Sequence, residues 1–129
     1  MSPALDDLLC SRYPKLFADR HNADSSMGRG FTCGDGWFEL VDQLCRDIQA
    51  AADNGEIRQP LARQVKEKLG KLRTYWRPHD DKIFELAVVA EERSSEICEI
   101  CGSAGEMVKP TGGWVRVRCE EHRDQRSEE

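Results

Sequence analysis

The sequence predicts an α+β protein: a mainly helical body over residues 1–95, followed by a small cysteine-rich finger with a polar tail over 96–129. Three observations predict it. Apolar residues recur at helical spacing through most of the first 95 positions. The pattern then breaks after Ser95 into cysteines, glycines and a short alternating run. In that run, Cys98-Glu-Ile-Cys101-Gly102 is followed by Cys119-Glu-Glu-His122, with 17 residues between Cys101 and Cys119.

The elements follow in chain order. Ser2-Pro3 opens a first helix, with a capping hydroxyl before a proline at the first helical position. Leu5, Leu8 and Leu9 continue it, and Tyr13-Pro14 ends it. Residues 22–36 read as a glycine-rich loop. Asp35 is the expected N-cap of a second helix, whose apolar face is Trp37, Leu40, Val41, Leu44 and Ile48 and whose end is Asn54-Gly55. Pro60 opens an expected third helix with Leu61, Val65, Leu69 and Leu72 as its stripe. Leu72 to Trp76 are read as leaving it for a strand. His79-Asp80-Asp81 cap a fourth helix with Ile83, Leu86, Ala87 and Ala90 inward, widened by Phe84 and Val88. The expected core gathers Trp37, Leu40, Leu44, Val65, Leu69, Ile83 and Leu86.

Composition narrows the function classes. The chain of 129 residues is 39% hydrophobic and 33% charged, so it can fold around a modest core. No apolar run approaches the length of a membrane helix, and no basic-then-apolar leader opens the chain. The expectation is a soluble protein of the cytoplasm without membrane contact. The net charge of −5 is unlike that of most free duplex-DNA binders. It conceals an asymmetry. Arg58, Arg63, Lys66, Lys68, Lys71, Arg73 and Arg77 stand against Glu67 alone, and seven acids between Asp80 and Glu99 stand against Lys82 and Arg93. Two solvated faces explain this, and so does a basic patch for nucleic acid or an acidic partner.

The cysteines carry the strongest chemistry. Two cysteines two residues apart can place both sulfurs on one ion, and Gly102 suits the tight knuckle this requires. The second pair repeats the spacing with histidine last. Lys109-Pro110-Thr111-Gly112-Gly113 is a turn signal, and Trp114 to Arg118 alternate as a strand, so the insert returns the chain on itself. Cys98, Cys101, Cys119 and His122 are therefore expected to hold one structural zinc ion in a treble-clef-like finger or a zinc ribbon. Three thiolates and an imidazole close the shell and leave no position for substrate.

Weaker constellations remain. Arg29, Gly34, Asp35 and Gly36 lie in a loop that enters a helix, which suggests an anion or ligand site. The loop lacks the lysine and hydroxyl of a phosphate loop. His21, Cys33 and Cys45, with Cys10, are a second metal set at no recognisable spacing. Trp114, Arg116 and Arg118 share one strand face, and with Arg63, Lys66, Lys71 and Arg73 they are the candidate partner-binding residues. No nucleophile–base pair emerges, so no residue is assigned as catalytic.

Tyr13-Pro-Lys-Leu-Phe-Ala-Asp-Arg-His21, Gly30-Phe-Thr-Cys-Gly-Asp-Gly-Trp-Phe38, Gln64-Val-Lys-Glu-Lys-Leu-Gly-Lys-Leu-Arg73 and the Cys/His motif together resemble a group of small proteins of tailed bacteriophages and prophages. The resemblance runs from about Tyr13 to His122, and Thr74-Tyr75-Trp76 departs from the aromatic pair usual there. It implies a phage or prophage origin and a site of action in the bacterial host cytoplasm. It transfers no catalytic residue. The expected function is non-enzymatic binding of a host or antiviral-defence protein, as an inhibitor or modulator. A nucleic-acid-binding regulator using residues 58–77 and the finger is one alternative. A small enzyme or ligand binder using the Gly28–Gly36 loop is the other.

Overall fold

A computed structural model describes residues 1–22, 25–109 and 112–126. Helix α1 (Pro3–Arg12) starts as expected, with the Ser2 hydroxyl accepting from the Leu5 amide. Short 3₁₀ turns at Ser26–Arg29 and Asp35–Trp37 lead into α2 (Phe38–Asp53). The hairpin β1 (Leu61–Lys68) and β2 (Lys71–Arg77) follows, then α3 (Asp81–Ser94). A second hairpin, β3 (Glu106–Val108) and β4 (Arg116–Arg118), closes the described chain.

Both sheets are two-stranded and antiparallel, so the α+β class holds. The body is not mainly helical, with 39% helix and 20% strand overall. The expected third helix is the first arm of a hairpin. Leu69 and Gly70 both take positive φ, 53° and 82°, and form a two-residue turn whose twist matches the paired strands. Leu69, expected in the core, sits on that turn and is 61% exposed. Leu61, Val65 and Leu69 imitate a helical stripe because a bulge between Ala62 and Gln64 shifts the register, leaving Ala62 and Val65 buried three residues apart.

The core lies where α2, the inner face of the β1–β2 hairpin and α3 meet, with α1 and the turns before α2 packed against it. Leu9, Leu16, Met27, Trp37, Val41, Ile48, Val65 and Leu72 are almost fully buried. Helix α2 presents the predicted stripe and ends at Asn54, with Gly55 at φ 76°. Asp35 does not cap it by a side-chain bond. Its carboxylate accepts the Ser2 amide at 2.6 Å instead. Helix α3 is capped by Asp80, which accepts from the Lys82 amide at 2.8 Å, and it buries Ile83 and Ala90. Phe84, expected to widen that stripe, is 60% exposed. Among the described residues no helix is long and apolar enough to cross a membrane.

Candidate metal centre and the loop beneath it

Cys98 and Cys101 sit on a tight turn in which the Gly102 amide donates to the Cys98 carbonyl at 2.9 Å. Gly102 takes φ 83°, which a side chain would resist. Beside it, the Cys98 amide donates to the Ser103 carbonyl at 2.8 Å. The β3–β4 hairpin pairs Glu106 with Arg118, Met107 with Val117 and Val108 with Arg116, and so carries the chain back to Cys119. Consecutive turns then bring His122 round, its amide donating to the Cys119 carbonyl at 3.2 Å. Residues 110 and 111 of the predicted connecting turn, and 127–129 of the polar tail, lie outside the described residues.

The four ligand atoms of Cys98, Cys101, Cys119 and His122 all lie within 4.8 Å of one another. The Cys101 and Cys119 sulfurs are 3.7 Å apart, and Nδ1 of His122 is 3.3 Å from Cys119 Sγ and 4.0 Å from Cys98 Sγ. A tetrahedral ion with metal–sulfur bonds of about 2.3 Å has ligand–ligand edges of about 3.8 Å, so the cluster fits one. Hydrogen bonds from Ser103 pull the Cys101 thiol down to about 6. Burial and the neighbouring thiols push Cys119 up. Crowded thiols of this kind cannot all ionise unless a cation neutralises them. Among the described residues this is the single group able to hold a metal. Cys10, Cys33, Cys45 and His21 form none.

The glycine loop lies directly under the Cys98–Cys101 knuckle. A Cβ on Gly36 would fall 2.1 Å from the Cys98 carbonyl oxygen, and one on Gly34 would fall 2.2 Å from the Glu99 carbonyl oxygen. Gly36 donates its amide to the Glu99 carbonyl at 2.8 Å, and Gly34 donates to the Glu99 carboxylate at 2.8 Å. One loop amide, that of Gly34, thus meets a carboxyl group, and the finger supplies it. Trp37 adds a bond from its indole nitrogen to the Ile97 carbonyl at 2.9 Å. Arg29 is exposed on its 3₁₀ turn. Asp35 and Gly36 also border an open groove of about 560 Å³ that reaches Gln43, Arg93 and Cys101.

Glu99 was not among the residues expected to matter. It is 2% exposed and pairs with the equally buried Arg118 at 3.4 Å. Burial pushes its carboxyl up, while the Gly34 amide and Arg118 pull it back. Arg118 also donates to the carbonyls of Gln125 and Val117, both at 2.8 Å. The expected exposed Trp114–Arg116–Arg118 face is therefore not formed. Trp114 precedes β4 and is 82% exposed, Arg116 is half-buried, and Arg118 is wholly inside. A glutamate between two cysteines and an arginine in a strand carry no sequence signal of burial, since both types are normally outside.

The basic segment is the hairpin itself. Lys66 stands opposite Arg73 and Lys68 opposite Lys71, so these cations share its outer face. Arg63 pairs with Asp19 at 3.0 Å, Arg73 pairs with Glu91, and Lys66 lies 5.7 Å from the Tyr75 ring centre. No protein-family profile, curated protein or solved structure matches the chain, and its reading rests on this geometry.

Proposed function

We propose that the chain is a non-enzymatic interaction protein of tailed-phage or prophage type. One structural zinc ion at Cys98, Cys101, Cys119 and His122 holds its finger in place. It acts in the bacterial cytoplasm on a host or antiviral-defence protein. The observation that carries this reading is an apolar surface where the two hairpins meet. The turn at Gly70 packs against Val115 and Met107 of the finger. Beside that contact Leu69, Met107 and Trp114 are 61%, 41% and 82% exposed. Large exposed apolar side chains are the anchors that protein interfaces use. Four protein ligands complete the ion's shell and leave the metal a structural role.

The test is capture from host lysate by zinc-loaded protein, beside Trp114→Ala and Leu69→Ser forms of unchanged zinc content and melting temperature. A stoichiometric protein recovered by the parent and lost with Trp114→Ala is the expected result. Equal recovery by all three, or no stoichiometric protein, ends the reading.

One observation favours a second reading. Like charges directly opposite each other in a hairpin cost stability, yet Lys68 faces Lys71 and Lys66 faces Arg73. A nucleic-acid regulator would use that face, with affinity falling steeply as salt rises. Absence of any mobility shift with mixed DNA and RNA at low salt removes this alternative.

A further inference from the structure

The outer edge of β2 is an open strand edge beside a groove, and the backbone pattern shows which of its groups are free. Thr32 lies along the other edge of the hairpin. Its amide donates to the Val65 carbonyl at 3.0 Å, and its carbonyl accepts from the Glu67 amide at 3.0 Å. Residues 65 and 67 therefore turn their main-chain groups away from β2. In an antiparallel pair their partners, Thr74 and Leu72, must turn theirs away from β1. The Leu72 amide confirms it by donating to the Ser94 hydroxyl at 3.0 Å. The same alternation points the amides and carbonyls of Thr74 and Trp76 toward that edge. Among the described residues no main-chain or side-chain group bonds them there.

Between this edge and α3 runs a groove of about 280 Å³, lined among others by Thr74, Tyr75, Trp76, Ile83, Phe84 and Val88. Phe84 and Tyr75 are 60% and 42% exposed along it. The Trp76 indole is held by the Thr74 hydroxyl at 2.8 Å, which fixes the wall. The groove also carries Asp80, which caps α3, and Glu91, which pairs with Arg73, so its open wall is partly apolar. A strand edge with unused bonding groups beside such a groove is the arrangement into which an extended peptide adds as a further strand.

Charge selects the occupant. The outer face of the hairpin carries Lys66, Lys68, Lys71, Arg73 and Arg77 and no acid. Arg73 is answered by Glu91, and among the described residues no carboxylate pairs with Lys71 or Arg77. A strand laid beside β2 places alternate residues on that cationic face and the intervening ones on the face of Thr74 and Trp76, toward the groove. A second copy of this chain is unsuited, because β2 against β2 would set lysine and arginine against their like. Deepening the interaction-protein reading, on which it rests, we propose that the β2–α3 groove binds an extended segment of the partner protein by strand addition. That segment alternates acidic and apolar side chains.

The test uses the zinc-loaded full chain, labelled with nitrogen-15, and a blocked synthetic heptapeptide Glu-Val-Asp-Phe-Glu-Val-Asp. Saturable shifts of the Thr74 and Trp76 amides are expected. Affinity should fall at least about tenfold when the peptide's strand-facing amides are N-methylated, the loss that removed edge hydrogen bonds predict. The Arg77→Glu protein should weaken binding of this peptide and favour its lysine counterpart, and Phe84→Ala should weaken both. Absence of saturable shifts at about 1 mM peptide overturns the groove. So does equal binding of the N-methylated peptide, since the probe would then be only an anion on a cationic face. Concentration-dependent self-association through the same amides overturns the choice of occupant. Trp114-dependent capture that persists while the peptide fails removes this inference alone. Loss of both removes the interaction reading as well.

Discussion

The β1–β2 hairpin pairs over seven positions and lays Ala62, Val65 and Leu72 on the core. The β3–β4 hairpin pairs over three, and of its strand residues only Val108, Val117 and the ion-paired Arg118 are buried. The first is held by apolar area. The second has too little to hold itself and closes beneath a thiol–imidazole cluster, as small modules do when they substitute a metal for a core. An ion at that cluster would give one chain both routes to fixing a hairpin, and the two should fail under different insults.

Metal removal should separate them most sharply. A structural zinc site contributes on the order of 10 kcal/mol of apparent binding energy, expressed largely as folding. Strong chelation, or Cys98→Ser, should therefore abolish amide-exchange protection in β3 and β4 while α2 and β1–β2 stay protected. Retained protection of Met107 and Val117 would show that the finger needs no ion. Leu72→Ala strikes the other hairpin. It should cost about 2–5 kcal/mol in denaturant unfolding, with zinc content unchanged under native conditions.

Gly36→Ala acts on the seam between the regions. Its Cβ would lie 2.1 Å from a carbonyl oxygen that cannot move freely, so a loss of about 1–3 kcal/mol is expected, together with weaker metal retention. A variant as stable as the parent would mean the knuckle can lift off the loop.

High pH tests the body through three groups that are not among the candidate ligands. Burial pushes Cys33 up to about 12 and Cys10 up to about 11, and burial with the Asp42 hydrogen bond pushes Tyr13 up to about 12. Each folded value exceeds the group's ordinary value, 9.0 for the thiols and 10.0 for the phenol. These groups therefore add stability that is complete below the lower values and is lost as pH climbs through the upper ones. The melting temperature should hold to about pH 9 and fall by pH 12. The smallest expected effect is a gain. Lys71→Glu replaces a repulsive cross-strand pair with an attractive one and should add about 0.2–1 kcal/mol, read as a slightly higher melting temperature.

What was legible in the sequence was local. The Ser2 and Asp80 caps, the α2 stripe ending at Asn54-Gly55 and the four candidate ligands all announce themselves within a few residues. The β1 strand did not, because its bulge breaks the two-residue period and the surviving spacing of Leu61, Val65 and Leu69 mimics a helix turn. β2 is legible in part, since Leu72, Thr74 and Trp76 alternate cleanly with charged and exposed residues. The glycine loop's local pattern suggests an anion site, and that the carboxyl on its Gly34 amide belongs to Glu99, 65 positions along the chain, is a tertiary fact that local pattern does not encode. The same holds for Arg118, whose burial depends on a partner from the opposite end of the finger.

The Trp37 indole, buried in the body yet bonded to Ile97 at the root of the finger, gives the molecule a built-in optical gauge. Any event that loosens the finger frees that bond and wets an otherwise dry chromophore. An ion gained or lost at one end of the protein would thereby be read in the fluorescence of the other, with no label attached.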